Sequence, residues 1–188
     1  MSDLIEGYLG KTVEGKKSRL PAKLDFIQSF TGGFLGLFMW AHMLLVSSIL
    51  VSEDFMYTVT KLLEGSFIFE GGNPLLVTIA AAVVFVIFIV HAALGMRKLP
   101  GNFKQFQVIK AHSKSMNHDD TKLWFIQAFT GFAMFFMGSV HLFIIMTNSA
   151  EIGPYASSDR VWSEYMWPLY ILLLLAVEFH GTIGLYRL

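Results

Sequence analysis

Two nearly identical stretches, KLDFIQSFTG at residues 23–32 and KLWFIQAFTG at residues 122–131, each open a long apolar segment. A histidine follows ten residues after the final glycine of each stretch, His42 in the first copy and His141 in the second. Each position in the second copy lies 99 residues after its counterpart in the first. The chain therefore contains an internal duplication, and the duplicated unit begins with a histidine-bearing apolar helix.

Apolar segments of this kind occupy much of the chain, and 54% of its 188 residues are hydrophobic. Each segment is close to the roughly 20 residues that a helix needs to cross about 30 Å of hydrocarbon. Only helices or closed barrels cross a membrane, and apolar runs of this length indicate helices. The predicted fold is an all-α transmembrane helical bundle. We predict one membrane domain over residues 1–188 with four spans, at about 24–51, 74–97, 122–147 and 165–187.

The distribution of basic residues predicts the orientation of the bundle. Twelve of the fourteen Lys and Arg residues lie before the first span, between the second and third spans or at the two span ends that flank this connection, or at the end of the fourth span. Only Lys61 and Arg160 lie in the other two loops. By the positive-inside rule the N-terminus, the middle loop and the C-terminus are cytoplasmic. Residues 1–22 have no apolar core, so we predict a cytoplasmic segment there and no cleavable signal peptide.

This orientation converts the positions of four histidines into depths in the membrane. The first and third spans run outward, so His42 and His141, late in those spans, lie in the outer half. The second and fourth spans run inward, so His91 and His180 lie in the inner half. The two inward spans also resemble each other: HAALGMR begins at His91 and HGTIGLYR at His180, each with a glycine four residues after the histidine.

Two imidazoles at each of two depths fit two stacked haems, each with its iron bound axially by two histidines. The outer haem would join His42 to His141, and the inner haem would join His91 to His180, about 15 Å away by helix rise. Cysteine is absent, which excludes thiolate ligands and covalent haem attachment. Any one histidine alone is explained as well by a hydrogen bond to a neighbouring helix, but four at two matched depths favour haem binding.

Four glycines and a glutamine complete the predicted cofactor site. Gly95 and Gly184 lie one helical turn after the inner histidines, on the same face. Gly32 and Gly131 lie ten residues before the outer histidines, about 15 Å deeper, at the inner level. Their missing side chains would make room for a flat macrocycle, although small residues are also typical of ordinary helix packing. Gln28, one turn nearer the cytoplasm, is predicted to hydrogen-bond to a haem propionate.

Six stretches carry a resemblance that covers nearly the whole chain. They are RLPAKLD (19–25), GFLGLFMWAHM (33–43), FIFEGGNP (67–74), HAALGMRKLP (91–100), FIQAFTGFAMFFMGSVHL (125–142) and MWPLYILLLLAVEFHGTIGLYRL (166–188). They resemble the dihaem cytochrome b subunit of quinol:fumarate reductases, within the succinate:quinone oxidoreductases. That family has a fifth membrane helix and a cytoplasmic tail, whereas this sequence ends at Leu188. Either the sequence is a fragment or the protein lacks the fifth helix, and we favour a fragment because all four histidines and their surroundings are otherwise intact.

The resemblance implies a function within a larger complex. It implies that menaquinol is oxidised near the outer haem, and that electrons pass through two b haems to an iron–sulfur subunit on the cytoplasmic side. A flavoprotein subunit beyond it would reduce fumarate to succinate, and the same components would serve the reverse reaction. The implied assembly is a homodimer of the heterotrimer in the bacterial cytoplasmic (inner) membrane. Quinone and membrane lipid are further partners, and no nucleic-acid partner is expected.

Two carboxylates are predicted to act on protons. Glu64 lies in the outer loop before the second span and matches the family's glutamate that accepts a proton from quinol, a general-base role. The alternative is an ordinary solvated loop glutamate. Glu178 lies about 200° round the helix from His180 and so points away from the iron. A charge at that depth costs about 2.5 kcal/mol or more, and the resemblance assigns Glu178 to a proton path.

Two other functional classes share some of these features. The cytochrome b subunit of a formate dehydrogenase or hydrogenase also holds bis-histidine haems in a helical bundle, but FIFEGGNP and the four-histidine set argue against it. A transporter built from repeats would also show internal symmetry and buried polar residues. The repeats here are parallel, however, and their helices have no Gly/Pro-broken centres. A haem spectrum separates a cytochrome from a transporter.

Overall fold

The computed structural model describes residues 19–116 and 118–187, and this part of the chain contains helices and no strand. Four of the helices are long and apolar enough to cross a membrane. The predicted all-α bundle with four spans is therefore confirmed. The spanning helices are α1 (Leu20–Val46, extended by a 3-10 helix at Ser47–Leu50), α3 (Pro74–Met96), α5 (Asp119–Thr147) and α7 (Trp167–Tyr186).

Two of the spanning helices begin earlier than their apolar segments. α1 starts at Leu20 and α5 at Asp119, four and three residues before the predicted starts. In α5 the His118 side chain caps the helix by accepting a hydrogen bond from the backbone N–H of Asp120. The acidic residues of that first turn also complement the positive end of the helix dipole. Polar capping thus extends the helix beyond the segment that hydrophobicity predicts.

Three shorter helices lie in the connections, which the sequence analysis treated as loops. α2 (Glu53–Leu63) follows α1, α6 (Pro154–Trp162) follows α5, and α4 (Phe103–Met116) lies between α3 and α5. α2 is capped by Ser52, whose side chain accepts a hydrogen bond from the backbone N–H of Phe55. A second 3-10 helix, Ser149–Glu151, links α5 to α6.

The spanning helices form a closed ring, because α1 and α5 each pack against both α3 and α7. α1 therefore lies diagonally opposite α5, and α3 lies opposite α7. The outside of the ring exposes large apolar side chains such as Phe30, Leu44 and Phe129, as expected where lipid covers the protein. At one end of the ring α2 packs against α6, so these two short helices cover the ends of α1 and α5.

The predicted N-terminal segment 1–22 lies almost entirely outside the described residues, with Lys11, Lys16 and Lys17 among those not described.

Candidate functional site: a cavity lined by two histidine pairs

The ring of helices encloses a cavity of about 1080 Å³. This volume exceeds the roughly 300–1,000 Å³ of pockets that hold one small molecule. The cavity extends along the bundle from Lys98 and Arg187 at one end to Thr60 and Arg160 at the other. Its lining includes every residue of the predicted cofactor site: His42, His91, His141, His180, Gln28, Gly32, Gly95, Gly131 and Gly184.

The inner pair joins diagonal helices, with His91 on α3 facing His180 on α7. Their ring centres lie 6.3 Å apart and their planes are nearly perpendicular, at 88°. His91 Nδ1 donates to the backbone carbonyl of Gln28 at 3.1 Å, and His180 Nδ1 donates to that of Gln127 at 2.8 Å. A neutral imidazole that donates from Nδ1 keeps its lone pair on Nε2, the arrangement typical of metal-ligating histidines.

The outer pair joins the other diagonal, with His42 on α1 facing His141 on α5. Their ring centres lie 6.1 Å apart at an interplanar angle of 77°. His141 contacts Tyr170 of α7, edge to face at 5.5 Å, with Nδ1 and the phenol oxygen 3.5 Å apart. His42 packs against Phe38, one turn earlier in α1, with ring centres 5.9 Å apart.

Both separations suit a metal held between two imidazoles. A metal about 2 Å from each ligating nitrogen, with each ring centre about 1 Å beyond that nitrogen, needs ring centres about 6 Å apart. No group of three or more His, Asp or Glu side chains that could bind a metal occurs in the described part of the chain. A pair of imidazoles facing each other is the ligand set of a bis-histidine haem, in which porphyrin supplies the other ligands of the iron.

Gly32 and Gly131 lie against the inner histidines. An ideal Cβ at Gly32 would be 2.8 Å from Cε1 of His91, and one at Gly131 would be 2.6 Å from Cε1 of His180. The space that the sequence analysis reserved for a macrocycle is thus filled, at these two positions, by the imidazoles themselves. The contact places Gly32 at the inner level, and His42 lies ten residues further along α1, about 15 Å by helix rise.

Gly95 and Gly184 lie against glutamine side chains, not against the imidazoles. A Cβ at Gly95 would be 3.4 Å from Nε2 of Gln28, and one at Gly184 would be 3.2 Å from Nε2 of Gln127. Oε1 of Gln28 is buried without a hydrogen-bond partner among the described residues. Such orphaned atoms are rare in folded proteins, and an amide can rotate to offer either a donor or an acceptor. The Gln28 side chain is therefore suited to form a hydrogen bond with a polar group of a bound molecule.

Glu64 is buried, with 1% of its surface exposed, so it is not a solvated loop glutamate. It follows α2, and its carboxylate accepts a hydrogen bond from Nζ of Lys61 at 2.7 Å. Its carbonyl accepts from the backbone N–H of Asn73 at 2.7 Å. Glu64 does not line the cavity, whereas Thr60 and Leu63, on the same short helix, do. The carboxylate therefore lies near the end of the cavity that Thr60 and Arg160 line, and not in the lining itself.

Glu178 lies on the exposed outer face of α7, as the rotation from His180 predicts. It does not line the cavity, although Val177 and His180 do. Among the described residues its side chain has no hydrogen-bond or ion-pair partner. The structure therefore brings the histidines, Gln28 and the glycines together around one cavity, and it leaves both predicted proton carriers outside that cavity.

Arg160 and Tyr170 also line the outer end of the cavity, and the sequence analysis did not select them. Arg160, on α6, is 7% exposed and donates from Nη2 to the carbonyl of Glu151 at 2.9 Å. Tyr170 reaches His141. The sequence does contain a signal for Arg160. It is the single Lys or Arg residue in its loop, on the side of the membrane where the positive-inside rule predicts few basic residues.

The fold and the site define a class: a multi-pass membrane protein with two histidine pairs facing an internal cavity. Residues 104–188 match the family described as succinate dehydrogenase/fumarate reductase transmembrane subunit. The fumarate reductase cytochrome b subunit of Wolinella succinogenes is 59% identical over 185 residues, 98% of this chain and 72% of that protein. The subunit of the same name from Helicobacter pylori is 54% identical over 99% of this chain and 73% of its own length. The chain belongs to the family of fumarate reductase cytochrome b subunits.

Proposed function

We propose that this chain anchors a quinol:fumarate reductase in the bacterial inner membrane and carries electrons between menaquinol and a cytoplasmic iron–sulfur subunit. The observation that supports this most is the pair of imidazole couples, 6.1 and 6.3 Å apart on opposite diagonals of one helical ring. Two b haems bound there would supply two one-electron carriers within a span of membrane thickness. The chain has no role in binding the dicarboxylate, which is left to another subunit.

The inner site is held by His91 and His180. Their Nδ1 hydrogen bonds to backbone carbonyls fix the ring orientation and direct each Nε2 toward the metal position. Gly32 and Gly131 allow the helices to approach these rings, since any side chain there would collide with them. The unpartnered amide of Gln28 would hydrogen-bond to a propionate.

The outer site is held by His42 and His141. Tyr170 contacts His141 and restricts the rotation of its ring. Arg160, buried at the same end of the cavity, offers a positive charge to a carboxylate group of a bound molecule. Menaquinol would react at this end, because the outer histidines, Arg160 and the short helices α2 and α6 meet there.

Quinol oxidation releases protons as well as electrons, and two carboxylates of this chain are placed to handle them. Glu64, beside the outer end of the cavity, would accept a proton from the quinol hydroxyl as a general base. Glu178 would relay protons inward along α7. Its side chain is exposed on the outside of the ring, within the span. A neutral carboxyl can both donate and accept a proton, which a relay requires.

The cytoplasmic side carries the partners in this proposal. The connection between α3 and α5 contains five Lys and Arg residues, of which Lys104, Lys110 and Lys114 lie on the exposed helix α4. This cationic segment would contact the iron–sulfur subunit and anionic lipid headgroups. A flavoprotein subunit would complete the heterotrimer, which we propose to pair as a homodimer. The relatives' names, which specify fumarate reductase, support this assembly.

The test is a redox difference spectrum of the purified complex. We expect a menaquinol analogue to reduce the b haems and fumarate to reoxidise them. A different result would be haems that formate or hydrogen reduces and that fumarate does not reoxidise. That result would indicate the cytochrome b of a formate dehydrogenase or hydrogenase. A complex without a haem spectrum would indicate that the histidines bind no haem and instead form hydrogen bonds between helices.

A further inference from the structure

The ion pair between Lys61 and Glu64 links a buried carboxylate to an ammonium group that is partly exposed to solvent. Nζ of Lys61 lies 2.7 Å from Oε2 of Glu64. The Glu64 side chain is 2% exposed, whereas that of Lys61 is 30% exposed. Glu64 is the one side chain in the described part of the chain that is large and fully buried. The membrane edge of α2 thus holds a carboxylate whose charge is balanced by a lysine that reaches the solvent.

A glycine turn closes over this carboxylate. Gly72 has a φ of +84°, and a Cβ there would lie 2.6 Å from Oε2 of Glu64. The next residue, Asn73, donates its backbone N–H to the carbonyl of Glu64. A side chain at Gly72 would therefore displace the carboxylate as well as strain the backbone. The local fold is built around the carboxylate in this one position.

Lys61 is the charge partner of Glu64, and burying a carboxylate is costly unless a group of opposite charge is hydrogen-bonded to it. Lys61 itself is held from two sides: its Nζ bonds to Glu64 and lies 5.6 Å from the ring centre of Tyr57. The hydrogen bond to Glu64 raises the pKa of Lys61 above its usual value, so Lys61 stays positively charged. The chain offers a contrast in Lys122 and Asp119, also three residues apart and 2.9 Å from each other, but with side chains 60% and 88% exposed.

We propose that Lys61 is a positioning residue that keeps Glu64 in its carboxylate form, ready to accept the proton of a quinol at the outer end of the cavity. This inference rests on the proposed function of Glu64 as general base. In the step, one quinol O–H bond would break, its proton would form an O–H bond on Glu64, and one electron would pass to a b haem. The neutral carboxyl would then face the Lys61 ammonium, and loss of its proton to the outer water would restore the ion pair. The second quinol proton and the second electron would follow by the same route, which completes the oxidation to quinone.

The experiment uses the whole purified complex with four variants: Lys61→Met, Lys61→Arg, Glu64→Gln and the double variant Lys61→Met/Glu64→Gln. Two activities are measured, fumarate reduction driven by a menaquinol analogue and fumarate reduction driven by a reduced viologen dye that bypasses the quinol site. General bases contribute about 10²–10⁴-fold. We expect Lys61→Met to lower the quinol-driven rate at least about tenfold, with the dye-driven rate and haem content unchanged.

The other variants separate a positioning role from a structural one. Lys61→Arg should recover most of the quinol-driven rate, and the double variant should be no slower than Glu64→Gln, because both substitutions remove one function. Lys122→Met, which breaks an exposed ion pair of the same spacing, should behave as wild type. A quinol-driven rate unchanged in Lys61→Met, or additive losses in the double variant, would overturn the proposal.

An infrared spectrum supplies a readout that does not depend on turnover. The difference spectrum of Lys61→Met minus wild type should show an additional carbonyl stretch of a protonated carboxyl, and the difference spectrum of the double variant minus Glu64→Gln should lack that band. Absence of the band from Lys61→Met would overturn the proposal. If Glu64→Gln oxidises quinol normally, the proposed general-base role of Glu64 fails and the proposal fails with it. The band then still decides whether Lys61 controls the charge of Glu64, so the two failures are distinguishable.

Discussion

Replacing Gly131 by alanine adds a single methyl group against a predicted ligand. The new Cβ would lie 2.6 Å from Cε1 and 2.9 Å from Nδ1 of His180. Ordinary van der Waals contact begins at 3.4 Å, so the imidazole would have to retreat by roughly 0.8 Å, the difference between 3.4 and 2.6 Å. That movement also acts on the 2.8 Å hydrogen bond from His180 to the carbonyl of Gln127. Overpacking of this kind costs about 1–3 kcal/mol.

The inner haem should therefore be lost or weakened selectively in Gly131→Ala. A pyridine haemochrome assay with protein quantitation should give about one b haem per polypeptide in place of two. Gly138→Ala is the matched control on the same helix, because its Cβ would be 3.5 Å from the ring of Phe88, an ordinary contact. Two haems with normal absorption in Gly131→Ala would refute the predicted position of His180 as a haem ligand. An equal loss of haem in Gly131→Ala and Gly138→Ala would refute it as well.

Three further substitutions test separate parts of the site. His42→Ala should remove the outer haem alone and leave the inner haem's spectrum unchanged, whereas equal loss of both haems would contradict the diagonal pairing. Gln28→Leu should shift the midpoint potential of the inner haem, because it removes an amide that would bond to a propionate, and should leave the outer potential unaltered; a shift confined to the outer haem would argue against that contact. Glu178→Gln should change the number of protons moved per quinol oxidised in proteoliposomes, and an unchanged stoichiometry would end the relay hypothesis.

The spanning helices and the grouping of the histidines into two pairs were predictable because both depend on spacing along the helices. About 20 apolar residues specify a span, and a rise of about 1.5 Å per residue converts a spacing of ten into two levels. Charge asymmetry then predicts which level is which. The contact of Gly32 with His91 confirms the shared level of those two residues.

The contacts that depend on helix rotation were not predictable. Gly32 and Gly131 were placed at the right depth, but the neighbour that fills their space depends on how α1 and α5 turn toward α3 and α7. Spacing along one helix holds no information on that rotation. The imidazoles occupy the space at both positions, and the repeat makes the two contacts equivalent.

The short helices were missed because their apolar residues are too few to form a run. α2 and α6 have 11 and 9 residues, and they are held by packing against each other and the spanning helices. The burial of Glu64 and Arg160 follows from that packing. Ser52, with acidic residues directly after it, is a helix-start signal that would have predicted α2.

The most direct test of the central claim is the haem content of the detergent-purified chain. A pyridine haemochrome assay with protein quantitation should find two b haems per polypeptide, one for the pair His42 and His141 and one for the pair His91 and His180. A chain that remains folded and contains no haem would contradict the assignment of both histidine pairs as axial ligands.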